Sequence, residues 1–190
     1  MDILIDLDNV TANLIDAWLA IYNSTYNDSL TADKVLDWQM DLYANKCSAE
    51  ELHQLIATPG FFTTLAVIPD AIEVTKRLQD VGHDLYFVTA TPHNCPTGGY
   101  DKLIWCHTHF PHIGKDRVIQ TQHKHKIIGD ILFDDGPHNL IAFPKTTIAM
   151  DMPYNKATPA DYRVSSWLQF EKVVGQIANP SSSILEANEK

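Results

Sequence analysis

Hydrophobic positions along the chain fall into short, nearly unbroken runs. Three are clear, at residues 3–7 (ILIDL), 84–88 (DLYFV) and 127–133 (IIGDILF), with a weaker run at 145–149 (KTTIA) and the weakest at 117–119 (RVI). Runs of this length without polar alternation predict strands covered on both faces. The helix-length stretches between them predict crossover connections, so the pattern is that of a Rossmann-like α/β fold: a parallel sheet of about five strands flanked by helices. The clearest helix runs from Asp70 to Gly82, with Pro69 and Asp70 at its start, Ile72, Val74 and Leu78 in its body, and Gly82 to end it. DKLIWCHTHF at 101–110 predicts another, after the turn-rich loop ATPHNCPTGGY.

The stretch between the first two strands is far longer than one crossover needs. Within residues 13–67 helical periodicity recurs three times, at Leu14, Ile15, Trp18, Leu19 and Tyr22, at Leu36, Met40 and Tyr43, and at Leu52, Leu55 and Ile56. The segment is either a set of extra helices on the sheet or a small helical cap over a site. The expected organisation is an α/β core at 1–12 and 68–178, a cap at 13–67, and a polar tail at 179–190.

Charge narrows the partners. The 190 residues carry a formal net charge of −10. A chain that acidic lacks the basic surface that long DNA or RNA requires, although one local cluster of Lys or Arg can still hold a small anion. Three cysteines without a CxxC pair indicate neither a disulfide framework nor a zinc knuckle. The opening MDILIDLDN has acids where a secretory leader needs bases, and no uncharged run approaches the roughly 20 apolar residues of a membrane span. The expectation is a soluble cytoplasmic protein with no membrane partner.

The candidate chemistry sits at strand ends. Asp6 and Asp8 close the first run, Asp134 and Asp135 close the third, and Thr89 closes the second. In an open parallel sheet the carboxyl ends share one edge, where ligands bind. Up to four carboxylates gathered there need a cation, and oxygen ligands suit a hard one, with Mg²⁺ the best match. Lys124 precedes the acidic pair and would bind phosphoryl oxygen, with Lys126 its competitor. Zinc is disfavoured. The spaced pairs His107/His109 and His123/His125 are not joined by HExxH or by closely spaced cysteines. His93, in the loop after Thr89, is a candidate substrate contact.

These residues resemble the four motifs of the haloacid dehalogenase-like (HAD-like) phosphatases: DLDNV at 6–10, a strand ending in Thr89, Lys124, and GDILFDD at 129–135. Over residues 1–170 the chain is most similar to the 5'(3')-deoxyribonucleotidases, through Phe61, Phe62, Leu65, Pro69, Ala71, Glu73 and Lys76. Pro153–Tyr154–Asn155 followed by Arg163 and Trp167 resembles their bacterial and phage branch. The resemblance implies Asp6 as a nucleophile forming an aspartyl-phosphate and Asp8 as the acid–base partner. It implies Thr89, Lys124 and the N–H of Ala90 at the phosphate. It places Mg²⁺ on Asp6, the Asp8 carbonyl and Asp134, with Asp135 behind them or reaching the metal through water. Leu14 falls at the base-pocket position, and Phe61 and Phe62 are the expected aromatic contacts to the base. Three departures stand out: Asn9 where the superfamily prefers Gly, and Ala90 and Gly136 where the similar animal nucleotidases carry Ser and Arg. The implied substrate is a deoxyribonucleotide, and a homodimer is among the assemblies the resemblance allows. A phosphatase or phosphotransferase for another small phosphorylated metabolite, and a non-catalytic binding protein on the same fold, are the alternatives.

Overall fold

The computed structural model describes residues 1–92 and 94–180. His93 and the tail from 181 on lie outside the described residues. Six strands form one sheet: β1 (Asp2–Ile5), β2 (Asp84–Thr89), β3 (Val118–Gln120), β4 (Ile131–Asp134), β5 (Thr146–Met150) and β6 (Tyr162–Val164). Their order is β3-β2-β1-β4-β5-β6 and every pairing is parallel. The unbroken apolar runs have a direct cause. Ile3, Ile5, Leu85, Phe87, Ile131 and Phe133 feed the core on one face, while Leu4, Val88, Leu132 and Phe143 form a smaller core on the other. The central strand positions are mostly covered on both faces, which leaves Thr89 and Asp134 as buried polar exceptions at the strand ends.

The helices are α1 (Leu14–Tyr26), α2 (Ala49–Gln54), α3 (Ala71–Asp80), α4 (Gly98–His109), α5 (Pro137–Ala142) and α6 (Trp167–Ala178). Among the described residues none is long and apolar enough to cross a membrane. α3 agrees with the sequence expectation. α4 begins three residues before it, because Gly98 and Gly99 open the helix and do not end the loop. A Cβ at Gly99 would meet Gln120 Oε1 at 2.5 Å, so the glycine lets α4 approach β3 closely.

Two strand expectations need correction. The run at 127–133 pairs only from Ile131, since Lys124–Lys126 is a 3₁₀ turn that brings the chain up to the sheet. The sixth strand, β6, is an edge strand in which only Val164 is buried, so it shows no apolar run.

Residues 13–67 form α1, α2 and three 3₁₀ turns around a small core of their own, made by Ile15, Leu19, Tyr22, Val35, Met40 and Leu52. α2 starts with a capping box between Ser48 and Glu51. The returning stem differs in kind. Ile56, Ala57, Phe61, Phe62 and Leu65 belong to the main core under the sheet. The two stems bond to each other, with Asn13 N donating to Ala66 O at 2.9 Å and Ile68 N to Thr11 O at 2.8 Å. The segment therefore leaves and re-enters the fold beside the carboxyl end of β1.

Candidate active site

Asp6 is the first residue after β1, and its N–H still continues the ladder to Phe133 O at 2.9 Å. The chain then turns sharply. The N–H groups of Val10, Thr11 and Ala12 all donate to Leu7 O, and Asn9 takes a left-handed conformation with φ 59°. Asn adopts this geometry more easily than other residues with side chains, so the turn forms without Gly at this position. β1 and β4 are the neighbours at which the strand order reverses, the place where open α/β sheets bind ligands.

Asp6, Asp134 and Lys124 form a buried triplet at this point. Lys124 Nζ lies 2.6 Å from Asp6 Oδ1 and 2.7 Å from Asp134 Oδ2. Asp134 also accepts from Gly136 N at 2.8 Å and from the Asn139 amide at 3.1 Å. A Cβ at Gly136 would stand 3.0 Å from both Asn139 Nδ2 and Asp134 Oδ1, so the glycine lets the loop pack closely on the acidic centre. Burial pushes the Asp6 carboxyl up to about 7, opposed by Lys124 and assisted by Asp134 and Asp8. Burial, then repulsion from Asp6 and Asp134, raises Asp135 well above the carboxylate range. Burial alone would lower Lys124, yet the two aspartates outweigh it and raise its pKa. Oxygens of Asp6, Asp134 and Asp135 all lie within 4.8 Å of one another. Three crowded carboxylates facing one ammonium, all oxygen donors, fit a hard divalent cation.

Asp8 turns away from that triplet toward a lysine that the sequence did not single out. Lys102, on α4, is 2% exposed. Its ammonium reaches Asp8 Oδ2 at 2.5 Å, Thr89 Oγ1 at 3.0 Å and Ala90 O at 2.6 Å, and lies 4.8 Å from the centre of the Phe62 ring. The other oxygen, Asp8 Oδ1, is buried with no hydrogen-bond partner among the described residues. One oxygen is thus held by the ammonium and the other is enclosed without a partner, so the carboxyl is fixed in place. A sequence signal for Lys102 existed. It shares the buried face of α4 with Trp105 and Cys106, and a charge on an apolar face needs a partner.

The edge opens into a cleft of about 570 Å³, within the range of small-molecule sites. Asp6, Asp8, Ala90, Lys124 and Asp135 line it from the core, and the insert adds Leu14, Ile15, Trp18 and Trp38 together with the polar Asp37, Gln39, Asp41 and His53. Asp6, Asp8, Leu14, Ala90, Lys124 and Asp135 therefore stand where the sequence put them, at one site, with Asp134 beneath. Three expectations are corrected. Phe61 and Phe62 do not line the cleft. They are buried in the main core, packed edge to face at 5.1 Å, because the returning stem uses them to anchor itself. Thr89 is fully buried, with its hydroxyl on Lys102 and not at the cleft wall. The aromatic that faces the cleft from the loop before the second 3₁₀ turn is Trp38, 48% exposed.

A model of the family described as 5' nucleotidase, deoxy (Pyrimidine), cytosolic type C matches residues 1–179. The chain belongs to this deoxyribonucleotidase family. It is 34% identical over 171 residues to the 5'(3')-deoxyribonucleotidase of Bacillus subtilis (strain 168), covering 90% of this chain and 96% of that one. A 5'(3')-deoxyribonucleotidase of Clostridium acetobutylicum is 29% identical over 165 residues, covering 87% and 89%. Among solved structures, a HAD family hydrolase from Deinococcus radiodurans with bound phosphate and sodium superposes with a TM-score of 0.62 at 12% identity, covering 92% of this chain and 95% of that one. A Bacillus subtilis HAD hydrolase bound to magnesium gives 0.56 at 15% identity, covering 90% and 97%. These two likenesses establish the HAD-like fold. As a member of the deoxyribonucleotidase family the chain is a phosphatase-type hydrolase.

Proposed function

We propose that this family member removes phosphate from deoxyribonucleoside 5'(3')-monophosphates with Mg²⁺, through an aspartyl-phosphate on Asp6. The observation that carries this reading is the meeting, in one cleft, of the Asp6–Lys124 pair with an apolar and aromatic wall of Leu14, Trp18 and Trp38. The first end suits a phosphate and the second suits a base. Residues 13–67 act as the cap that supplies the second.

Asp6 attacks phosphorus and the bond to the ester oxygen breaks, with Asp8 giving its proton to the leaving alkoxide. Asp8 then takes a proton from water, which attacks the aspartyl-phosphate, frees phosphate and restores Asp6. Lys124 pairs with phosphoryl oxygen and restrains the nucleophile, and the N–H of Ala90 faces the same group. Lys102 pairs with Asp8 and fixes its carboxyl at the edge of the cleft. Asp6, Asp134 and Asp135, with the Asp8 carbonyl, are the groups to hold Mg²⁺, whose charge offsets the repulsion between carboxylate and phosphate.

A panel of phosphomonoesters assayed with Mg²⁺ tests the substrate. The expected result is the highest kcat/KM on deoxyribonucleoside monophosphates. A sugar phosphate turned over faster than all nucleotides would overturn the base-binding role of the wall and leave the phosphatase chemistry standing.

A further inference from the structure

The turn Pro153–Asn155 after β5 is the part of the sequence pattern that the chemistry above leaves unused. Its geometry is tightly specified. Asn155 is fully buried and its amide donates to Asp135 O and to Met150 O, both at 2.8 Å. Arg163 of β6 donates to Asn155 Oδ1 at 2.7 Å and to Asn155 O at 3.1 Å. The turn is thus clamped to the sheet and to the backbone of Asp135, so Tyr154 between these anchors cannot move independently.

Tyr154 has two faces of contact. Its hydroxyl donates to Asp135 Oδ2 and accepts from Asn9 Nδ2 at 3.0 Å. Asn9 Oδ1 in turn accepts from the N–H of Ile15 at 2.8 Å, in the first turn of α1. The Tyr154 ring meets Trp38 edge to face, with centroids 5.5 Å apart. Trp38 also touches His138 at 5.3 Å. Trp38 sits in neither a helix nor a strand, so these two rings, and not a backbone ladder, set its orientation.

We propose that Tyr154 is a positioning residue that serves both ends of the cleft, its hydroxyl fixing Asp135 at the acidic centre and its ring propping Trp38 in the wall that faces the base. This rests on the nucleotidase reading above for the word base, and on geometry alone for the rest. One side chain then aligns the acidic centre with the wall. The hydroxyl and the ring carry separable duties, and two substitutions separate them.

Tyr154→Phe keeps the ring and removes the hydroxyl. It should lower kcat about ten- to a hundredfold on a deoxyribonucleoside monophosphate and on p-nitrophenyl phosphate alike, the range for losing one hydrogen bond to a charged group, with KM nearly unchanged. Tyr154→Ala removes both, and should further raise KM about two- to tenfold for the nucleotide only, the range for losing an aromatic pair. Acrylamide quenching of tryptophan fluorescence in the metal-free protein supplies a readout independent of turnover, with Trp38→Phe used to assign the share of Trp38. Tyr154→Ala should make that share more accessible and Tyr154→Phe should not. Equal kinetics for the two variants on both substrates, or a quenching curve for Tyr154→Ala that matches the parent, would overturn the proposal. If the parent turns over only p-nitrophenyl phosphate, the nucleotide reading fails by itself, and the kcat effect of Tyr154→Phe and the quenching still decide the role of Tyr154.

Discussion

Replacing Lys102 by Met is the sharpest way to ask whether Asp8 handles the proton. Methionine keeps most of the buried stem and removes the ammonium, with its contacts to Asp8, Thr89 and Ala90. Breaking a fully buried ion pair from one side costs about 3–5 kcal/mol. Here the Asp8 side chain is 24% exposed and lines the cleft, so water can solvate the carboxylate left behind. The expected loss of stability is therefore smaller, about 2 kcal/mol, the scale of one charged hydrogen bond. For a chain of this size that lowers Tm by roughly 4–8 °C. The effect on turnover should be larger. General acid catalysis contributes about 10²–10⁴-fold, and an Asp8 free to rotate forfeits much of it. The kcat on a deoxyribonucleoside monophosphate should fall about a hundredfold. On p-nitrophenyl phosphate, whose leaving group needs little protonation, the fall should stay within about tenfold. Stopped-flow measurement of the nitrophenolate burst separates the first displacement from hydrolysis of the aspartyl-phosphate. A loss in the nitrophenolate burst rate as large as the loss of kcat on the nucleotide would refute the orienting role of Lys102, as would parent-like kcat on the nucleotide.

Asp6→Asn should abolish turnover while the melting curve stays cooperative, since an amide is a far poorer nucleophile; activity within tenfold of the parent, with deamidation excluded by mass spectrometry, would unseat Asp6. EDTA should remove activity, Mg²⁺ should restore it and Ca²⁺ should not, because Ca²⁺ takes more ligands at longer distances; full activity in excess EDTA would contradict the cation requirement. Trp38→Ala should cost about 1–3 kcal/mol of base binding, seen as a rise of about five- to 150-fold in KM for the nucleotide; an unchanged KM would move the base elsewhere.

What could be read from the sequence divides along physical lines. Asp6, Asp8, Asp134 and Asp135 were legible because strand ends converge by topology, and topology follows from apolar runs buried on both faces. Trp38 was legible only as one of several aromatics in the insert, because composition cannot tell a bulky residue that anchors from one that faces a cleft. Phe61 and Phe62 were misplaced for the same reason in reverse: they lie next to the site in the chain, but the stem that carries them is the part bolted into the main core. Lys102 escaped notice since a lone lysine in a helix usually snorkels to water. β6 escaped because an edge strand with Tyr162 and Arg163 exposed has no hydrophobic signature.

The returning stem has a consequence for how this protein can change. α4 grips it at three points: Asp101 accepts from Gly60 N at 2.8 Å, Trp105 Nε1 donates to Leu65 O at 2.8 Å, and Lys102 lies over Phe62. The same helix holds Asp8, so a substitution in the stem is felt at the reacting atoms. The opposite wall is built otherwise. Residues 35–42 carry Trp38 to the cleft together with Asp37 and Gln39, both exposed, on a loop and a short 3₁₀ turn. Selection can therefore rewrite substrate preference in that loop while the hydrolytic machinery is inherited intact. A library randomised at 37, 38 and 39 should yield folded, hydrolytically competent enzymes of altered preference far more often than one of equal size at 60, 61 and 62.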